Sequence, residues 1–400
     1  MLSNKLTLKQ IITIDDFLEL FDRNSISNHQ EILNLDFPLN LERQTQRICP
    51  IIHLAKIEDA KVITEIFKDV YKGTYPYKQM ESVKEVEKMI LDSRYHWFIF
   101  KINSNETVGC FASYLEFEKK RGLLFGFAIK RAYHKIIDIF KAFIGCILYS
   151  WKTYKNKIFV WYAEVRTKEK IPPLITSSCG LKPIAFLPNK DIFLNQIESD
   201  FLHIIYDEKA LLEYRYNKKP HIIRQVLGCY MYSNERFHLG NPKVENPSNN
   251  QNKTKVSKLK VKIIKKTEKD KFDNKIITLL LPDSSSFFKF LYNPLIQSIE
   301  KTTYKIEKIE ELISFIQEIK EIIRNLKIRY FECYVSAYNP LHQKVFFDAG
   351  IIPRGYVFSW EYNIKKKCFE DRIVFNYVEG DINKNLKLIP ETATLLQNLK

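Results

Sequence analysis

Between residues 48 and 207, segments whose apolar residues recur at the helical period are interspersed with segments that have the pattern of β-strands. Apolar residues recur at the helical period in 58–71, 83–91 and 137–152, which predicts three helices there. Short alternating or apolar runs bounded by turn residues predict strands at 49–55, 96–102, 107–117, 123–130, 158–165, 184–187 and 201–206. A shorter helix is expected to end near Gly180, because glycine suits a helix C-terminus. The predicted order is therefore β-α-α-β-β-β-α-β-α-β-β.

A later part of the chain repeats this pattern. The helix–strand unit at 136–165 corresponds to 309–337, and the hairpin entry at 180–183 corresponds to 350–353. In the earlier part of this second stretch, 276–282 is the only strong predicted strand. The pattern predicts an N-terminal extension (1–47), a first domain (48–207), a connector with a flexible linker (208–258), a degenerate second copy (259–385) and a C-terminal tail (386–400).

The composition argues against several classes of protein. Its 400 residues include only 11 glycines and contain neither G-x-x-x-x-G-K-[ST] nor G-x-G-x-x-G, which argues against P-loop and dinucleotide-binding folds. The seven cysteines form no C-x-x-C pair and the eight histidines have no ligand spacing, so no metal site is predicted. The N-terminus does not resemble a signal peptide, and the longest apolar stretch, 136–151, is too short for a bilayer. We expect a cytoplasmic protein with no membrane partner.

Three motifs within 48–207 are similar to the GNAT superfamily of N-acetyltransferases. Val108 and Gly109 open the third strand as in that family, and GFAIKRAYHKI at 126–136 resembles its fourth strand and the loop before the central helix. CGLKPIAFLP at 179–188 resembles the entry to its terminal hairpin. The resemblance implies an α+β fold of α/β/α layers around a GNAT-like mixed central sheet. With the internal repeat, it implies a tandem arrangement of one nearly complete copy and one partial copy.

The same resemblance implies acetyl-CoA or another acyl-CoA as the donor, bound where the fourth and fifth strands diverge. The residues matching the strand that pairs with the pantetheine arm are Phe127, Ala128, Ile129 and Lys130. Those matching the pyrophosphate loop are His134, Lys135, Ile136, Ile137, Asp138 and Ile139. The family has small residues where this chain has Ile137 and Ile139, and side chains there crowd the approach of a phosphate. Asp138 adds like charge, which His134 and Lys135 partly compensate.

Acyl transfer to an amine needs a base that accepts the ammonium proton. Glu164 on the fifth strand and Glu116 near the end of the third are the candidate bases. Tyr71, Tyr75 and Tyr77 lie between the first two helices, where the family binds its acceptor, and predict an aromatic wall for the acceptor site.

Three functions remain open at this point. The first is an acyl-CoA-dependent N-acyltransferase acting on an amine acceptor. The second is a Fem-like transferase that uses aminoacyl-tRNA, because a net charge of +16 and the lysine-rich segment 253–271 suit a phosphate backbone. The third is a non-catalytic GNAT-like binding module. The lysine-rich segment has a simpler interpretation as a solvated edge strand, since charged edges discourage aggregation.

Overall fold

The computed structural model describes residues 11–23, 26, 28–37, 47–103, 106–247 and 262–399. Residues 253–261 of the lysine-rich segment and 248–258 of the predicted linker lie outside these ranges, as does much of the N-terminal extension. Among the residues that the structure describes, no helix combines the length and apolarity needed to cross a bilayer.

The elements of the first half follow one another in the order that the sequence predicted. Two short helices precede them, and Phe17 of the first packs edge-on against Trp151 with ring centroids 4.8 Å apart. The elements are α1 (Ile14–Asp22), α2 (His29–Leu33), β1 (Ile51–Leu54), α3 (Ala60–Tyr71), α4 (Val83–Leu91), β2 (Tyr95–Ile102), β3 (Glu106–Glu116), β4 (Arg121–Ile129), α5 (Ile139–Thr153), β5 (Val160–Arg166), α6 (Ile171–Ser178), β6 (Lys182–Phe193) and β7 (Gln196–Tyr206).

The connector and the second half complete the fold. The connector contains α7 (Glu208–Leu212), β8 (His221–Ile222), α8 (Leu227–Phe237) and β9 (Lys243–Val244). The second half contains β10 (Ile264–Lys269), β11 (Lys275–Leu280), β12 (Phe287–Asn293), β13 (Ser298–Lys305), α9 (Ile309–Leu326), β14 (Tyr330–Ser336), α10 (Pro340–Asp348), β15 (Ile352–Asn363), β16 (Cys368–Val378) and α11 (Pro390–Asn398). The predicted C-terminal tail therefore ends in a helix, which contacts β6 and α8.

The protein is a mixed α/β structure built on one large sheet. Its 14 strands lie in the order β1-β2-β3-β4-β5-β7-β6-β15-β16-β14-β13-β12-β11-β10. Read from each edge inward, the two halves have the same strand order. In both halves the contact between the fourth and fifth strands is parallel, β4 with β5 and β13 with β14. The halves join where β6 and β15 pair antiparallel, with Ala185 opposite Gly355.

The second half has more strands than the sequence indicated. Beside β11, which contains the predicted run, the structure has β10, β12 and β13. β10 is exposed along its length at the edge of the sheet and has no apolar face, and β13 consists mostly of polar and charged residues. Hydrophobic periodicity could not reveal strands of this kind. No helix stands between β10 and β11, which a tight turn at Asp270–Asn274 connects, so this half lacks counterparts of α3 and α4.

Side chains from both halves form one continuous core at the joint. Tyr206 stacks on Phe358 with ring centroids 4.1 Å apart, and both rings are fully buried. The connector helix α8 contacts both β6 and β15 and so covers the joint on one face. The two halves are therefore packed as one body around the cleft described next.

Candidate active site

A cleft opens where β4 and β5 separate. Their ladder pairs Arg121–Leu124 with Val160–Ala163 and ends there. Directly beyond, Gly126 has a φ of 68°, and the register with β3 shifts at the same point, so β4 bulges away from its neighbour. A cavity of about 1360 Å³ lies in the gap, lined by both halves of the protein. The sheet thus provides a free strand edge and a pocket in the same place.

The structure brings part of the predicted pantetheine strand to this cleft. Phe127, Ala128 and Ile129 line it, together with Phe143 from the central helix α5. Lys130 does not line it, and its backbone N–H donates to the carbonyl of Val108 over 2.8 Å. The outer arm of the cleft is therefore apolar and runs along the unpaired edge of β4.

The predicted pyrophosphate loop is closed by hydrogen bonds within the protein. The N–H groups of Ile136 and Ile137 both donate to the carbonyl of Tyr133, that of Asp138 to the carbonyl of Ile48, and that of Ile139 to the carbonyl of Ile137, over 2.9–3.2 Å. A phosphate at a helix N-terminus needs free N–H groups. Ile137 is also fully buried, so its side chain fills the position that the family leaves small.

The side chains of Asp138 and His134 in this loop also make contacts within the protein. The carboxylate of Asp138 caps α5 by accepting from the N–H of Lys141 over 3.0 Å, which places a negative charge at the helix N-terminus. His134 lines the cleft, and its Nε2 lies 2.7 Å from the carbonyl oxygen of Ile129. Lys135 and Ile136 are exposed and do not line the cleft. The loop does not fit a pyrophosphate.

Of the two predicted bases, Glu116 is committed to an ion pair. It accepts from Arg121 and Lys119, and the hydroxyl of Tyr162 donates to it over 3.2 Å. Burial raises the pKa of Glu116, but the charge and hydrogen bonds of Arg121 outweigh burial and bring the pKa to about 2. A carboxylate that is so weak a base accepts protons poorly at neutral pH. Glu116 is better suited to holding Arg121, which lies 4.0 Å above the ring of Trp360.

The other predicted base, Glu164, lines the cleft and accepts a hydrogen bond from Lys190. The ammonium of Lys190 also donates to Glu332 over 3.3 Å and lies 4.0 Å from Glu300, both from the second half. Burial lowers the pKa of Lys190, but the charges of Glu164 and Glu332 outweigh it and raise that pKa well above its ordinary value. Lys190 is therefore a buried cation that links the two halves.

The three predicted tyrosines all line the cleft. The rings of Tyr71 and Tyr75 have centroids 4.5 Å apart, and that of Tyr77 lies 5.8 Å from Tyr75. The hydroxyl of Tyr77 lies 3.4 Å from an oxygen of Asp191 and 3.4 Å from an oxygen of Glu300. The tyrosines form an aromatic wall whose last hydroxyl reaches the carboxylates at the inner end.

Sequence reasoning missed the aspartates of the terminal hairpin. Asp191 on β6 and Asp200 on β7 both line the cleft and are almost fully buried. Burial, with the nearby charge of Glu164, raises the pKa of Asp200 to about 7. One of its oxygens, Oδ1, is buried without a hydrogen-bond partner. The signal in the sequence was Glu198 and Asp200 two apart on a predominantly buried strand, a spacing that places both carboxylates on one face.

Two further cations lie near this group: Arg166, which is paired, and Arg329, whose Nε and Nη1 have no hydrogen-bond partner among the described residues. Arg166 binds Glu198 through two hydrogen bonds of 2.8 Å, and its guanidinium lies 4.0 Å from the ring centre of Phe193. Arg329 donates to the backbone carbonyls of Lys190 and Ile296. Across the described ranges, no three His, Cys, Asp or Glu side chains are arranged to hold a metal ion. The cleft thus has an apolar outer arm and an inner end rich in carboxylates.

Comparison with known proteins adds little to this description. No protein-family model matches the chain, and no curated protein matches it. Among solved structures, spermidine N-acetyltransferase from Vibrio cholerae is similar at 13% identity and a TM-score of 0.35, over 41% of this chain and 96% of that chain. The ribosomal-protein-S18-alanine N-acetyltransferase from Escherichia coli is similar at 14% identity and a TM-score of 0.31, over 39% of this chain and 93% of that chain. These TM-scores carry no functional conclusion, which must come from the cleft itself.

Proposed function

We propose that the protein is an N-acyltransferase whose active site is the cleft between β4 and β5. One observation carries the proposal: the free edge of β4 leads to a buried carboxylate, Asp200, whose pKa is about 7. A general base works best when its pKa lies near the working pH, and acyl transfer to an ammonium group needs such a base. The alternative base, Glu164, is held by Lys190.

In this mechanism the acceptor ammonium gives a proton to Asp200. The resulting amine attacks the carbonyl carbon of an acyl thioester and a C–N bond forms. The C–S bond breaks as the thiolate leaves, and the nitrogen loses its second proton to solvent. The proton held by Asp200 then passes to the thiolate. Backbone N–H groups along β4 are the candidates for stabilising the oxyanion, because amides held in place need no reorganisation during the reaction.

The donor that suits this cleft is an acyl thioester with a pantetheine-like arm. Phe127, Ala128 and Ile129 line the apolar arm of the cleft on the side of β4 that β5 leaves unpaired, and an amide-bearing arm could pair with this strand edge. The loop at 134–139 does not fit a pyrophosphate, for the reasons given above. Acetyl-CoA is therefore proposed as a donor that binds weakly, through its arm and without a phosphate cradle.

We also propose that the two halves are copies of one fold and that chemistry belongs to the first. The shared strand order supports the duplication. In the second half, the carboxylate of Glu311 accepts from the N–H of Lys308 at the start of α9, and Glu307 lies beside it. Two acidic side chains at that helix N-terminus disfavour an anionic donor there.

One observation favours a second candidate, an aminoacyl-tRNA-dependent transferase. The hydrogen-bonded loop at 134–139 does not disfavour aminoacyl-tRNA as the donor, because that donor has no CoA pyrophosphate. The exposed edge strand β10 carries Lys265, Lys266 and Lys269, which suit a nucleic-acid backbone. The same lysines serve equally as protection of a sheet edge.

A release assay with acetyl-CoA tests the leading candidate. The full chain is incubated with acetyl-CoA and a mixture of primary amines, and free thiol is measured against Asp200→Asn and the exposed control Asp283→Asn. We expect amine-dependent thiol release from wild type and the control, and loss of it in Asp200→Asn. Release that is equal in all three proteins would refute Asp200 as the base. Acylation of amines from charged tRNA alone, with none from acetyl-CoA, would favour the second candidate.

A further inference from the structure

The inner end of the cleft holds more carboxylates than nearby cations balance. Five buried or half-buried acidic side chains surround the ammonium of Lys190 or adjoin it: Glu164, Asp191, Asp200, Glu300 and Glu332. Arg166 is paired with Glu198, and Arg329 lies near Asp191, so Lys190 and Arg329 are the two cations that face five acids. Burying carboxylates without matching cations is costly, and a bound cation would relieve that cost.

Two of these side chains have an oxygen with no hydrogen-bond donor among the residues that the structure describes. They are Oδ1 of Asp200 and Oε1 of Glu300, on residues that are only 2% and 3% exposed. Both residues line the cleft, Asp200 from the first half and Glu300 from the second. Between them, the hydroxyl of Tyr77 lies 3.4 Å from both Asp191 and Glu300. A buried acceptor without a donor is destabilising, so each of the two oxygens has an open position for a hydrogen-bond donor.

The chemistry of the site selects organic cations over the alternatives. Carboxylates only accept hydrogen bonds, which excludes anions and favours groups with several N–H donors. No three acidic side chains in the described part of the chain converge as a metal site requires. Aromatic rings border the acids, with Trp360 stacked on Tyr334 at 5.0 Å and packed edge-on against Tyr162 at 4.8 Å. Apolar ring surface beside carboxylates suits the alkyl chain that carries an ammonium group.

We propose that this inner end binds an acceptor with at least two ammonium groups, one at Asp200 of the first half and another at Glu300 of the second. This inference rests on the proposed function and adds the substrate class, a linear diamine or longer polyamine. It also assigns a role to the second half, which supplies one of the two cation-binding carboxylates. The amine at Asp200 is the one that reacts, and the amine at Glu300 positions it.

Calorimetric titration of the full chain tests this site directly. The probes are α,ω-diaminoalkanes of three to eight carbons, each compared with the 1-aminoalkane of the same length and with MgCl₂. We expect the best diamine to bind about tenfold or more tightly than its monoamine, since a charge-assisted hydrogen bond at a buried carboxylate is worth at least that factor. Equal affinities of diamines and monoamines would overturn the proposal, as would Mg²⁺ competing with the diamine for the same site.

Glu300→Gln provides the matched variant, with exposed Glu321→Gln on α9 as its control. The preference for diamines should disappear in Glu300→Gln and persist in Glu321→Gln, and a preference that survives in both variants would contradict the role of Glu300. Thermal unfolding of each variant shows whether it is folded. If Glu300→Gln does not fold, the comparison of diamine with monoamine in wild type still tests the proposal.

Diamines that bind without being acylated would refute the proposed function alone. Acylation of monoamines with no gain from a second ammonium would refute only this inference.

Discussion

Gly355 of β15 lies directly opposite Ala185 of β6, at the pair that joins the two halves of the sheet. A Cβ atom built on Gly355 would lie 2.2 Å from that of Ala185 and 2.6 Å from the carbonyl oxygen of Ile184. No pair of real side chains approaches so closely. The joint therefore depends on the absence of a side chain at position 355.

Gly355→Ala should destabilise the protein by about 1–3 kcal/mol, the usual cost of overpacking a close contact. Chemical denaturation followed by tryptophan fluorescence measures the change. The double variant Ala185→Gly with Gly355→Ala should recover only a small part of the loss, because the new methyl group would still lie 2.5 Å from the Cα of residue 185 and 2.6 Å from the carbonyl oxygen of Ile184. A single variant as stable as wild type would show that the strands can separate at no cost.

The pH dependence of acyl transfer should follow the ionisation of Asp200. Because only the carboxylate accepts a proton, the rate should rise with pH below about 7, the pKa of this group, and level off above it. Asp200→Asn should lower the rate by about 10²- to 10⁴-fold and remove this acid limb. Rates across pH 5–9 measure both effects, with Asp283→Asn as the control. A limb that persists in Asp200→Asn would assign the base elsewhere.

Stability should respond to pH in opposite directions through Asp200 and Glu116. The pKa of Asp200 is raised from its ordinary 3.8 to about 7, so its folded form keeps a proton that the unfolded chain releases, and stability falls as pH rises across that window. The pKa of Glu116 is lowered from 4.5 to about 2, so its contribution is present above about 4.5 and is lost on acidification towards 2. Thermal midpoints between pH 3 and 8 should decline less steeply above pH 4 in Asp200→Asn. An unchanged profile would contradict the raised pKa.

Removing the buried ammonium of Lys190 should cost about 3–5 kcal/mol, because Glu164 and Glu332 would lose their shared cation. Lys190→Met retains the length of the side chain, and exposed Lys320→Met is the control. Denaturation midpoints measure the loss. Adding Glu332→Gln to Lys190→Met should restore part of the stability, since it removes one uncompensated charge. Additive losses in the double variant would mean that the two residues are not coupled.

Because the loop at 134–139 is closed by hydrogen bonds, the rate of acyl transfer should depend little on the nucleotide part of the donor. S-acetyl-pantetheine and acetyl-CoA should have kcat/KM values within about threefold of each other, because both offer the same arm to β4. A loop holding the pyrophosphate by several charge-assisted bonds, each worth about 1.5–3 kcal/mol, would favour acetyl-CoA by more than about 100-fold. Steady-state kinetics with a diamine acceptor measure the ratio.

Local patterns in the sequence predicted the elements of the first half well, because α3 has one apolar face and α5, β2 and β3 are long apolar runs bounded by turn residues. The same reasoning named Tyr71 and Glu164, which both line the cleft, since a loop and a strand end locate a side chain roughly. It missed Asp200 as a base because its pKa depends on burial by residues far away in sequence. It also missed Glu300, which reaches the cleft only because the second half folds back onto the first. Contacts between distant segments leave no local pattern.

The joint between β6 and β15 also has a consequence for synthesis on the ribosome. Gly355 follows Ala185 by roughly 170 residues, so at about 5–20 residues per second the outer edge of β6 stays open for about 10–30 s after it is made. An open edge invites pairing with a neighbouring nascent chain. β6 carries Pro183 and Pro188, which have no N–H to donate, and the charged Lys190. The strand that later joins the halves is thereby protected while the protein is still incomplete.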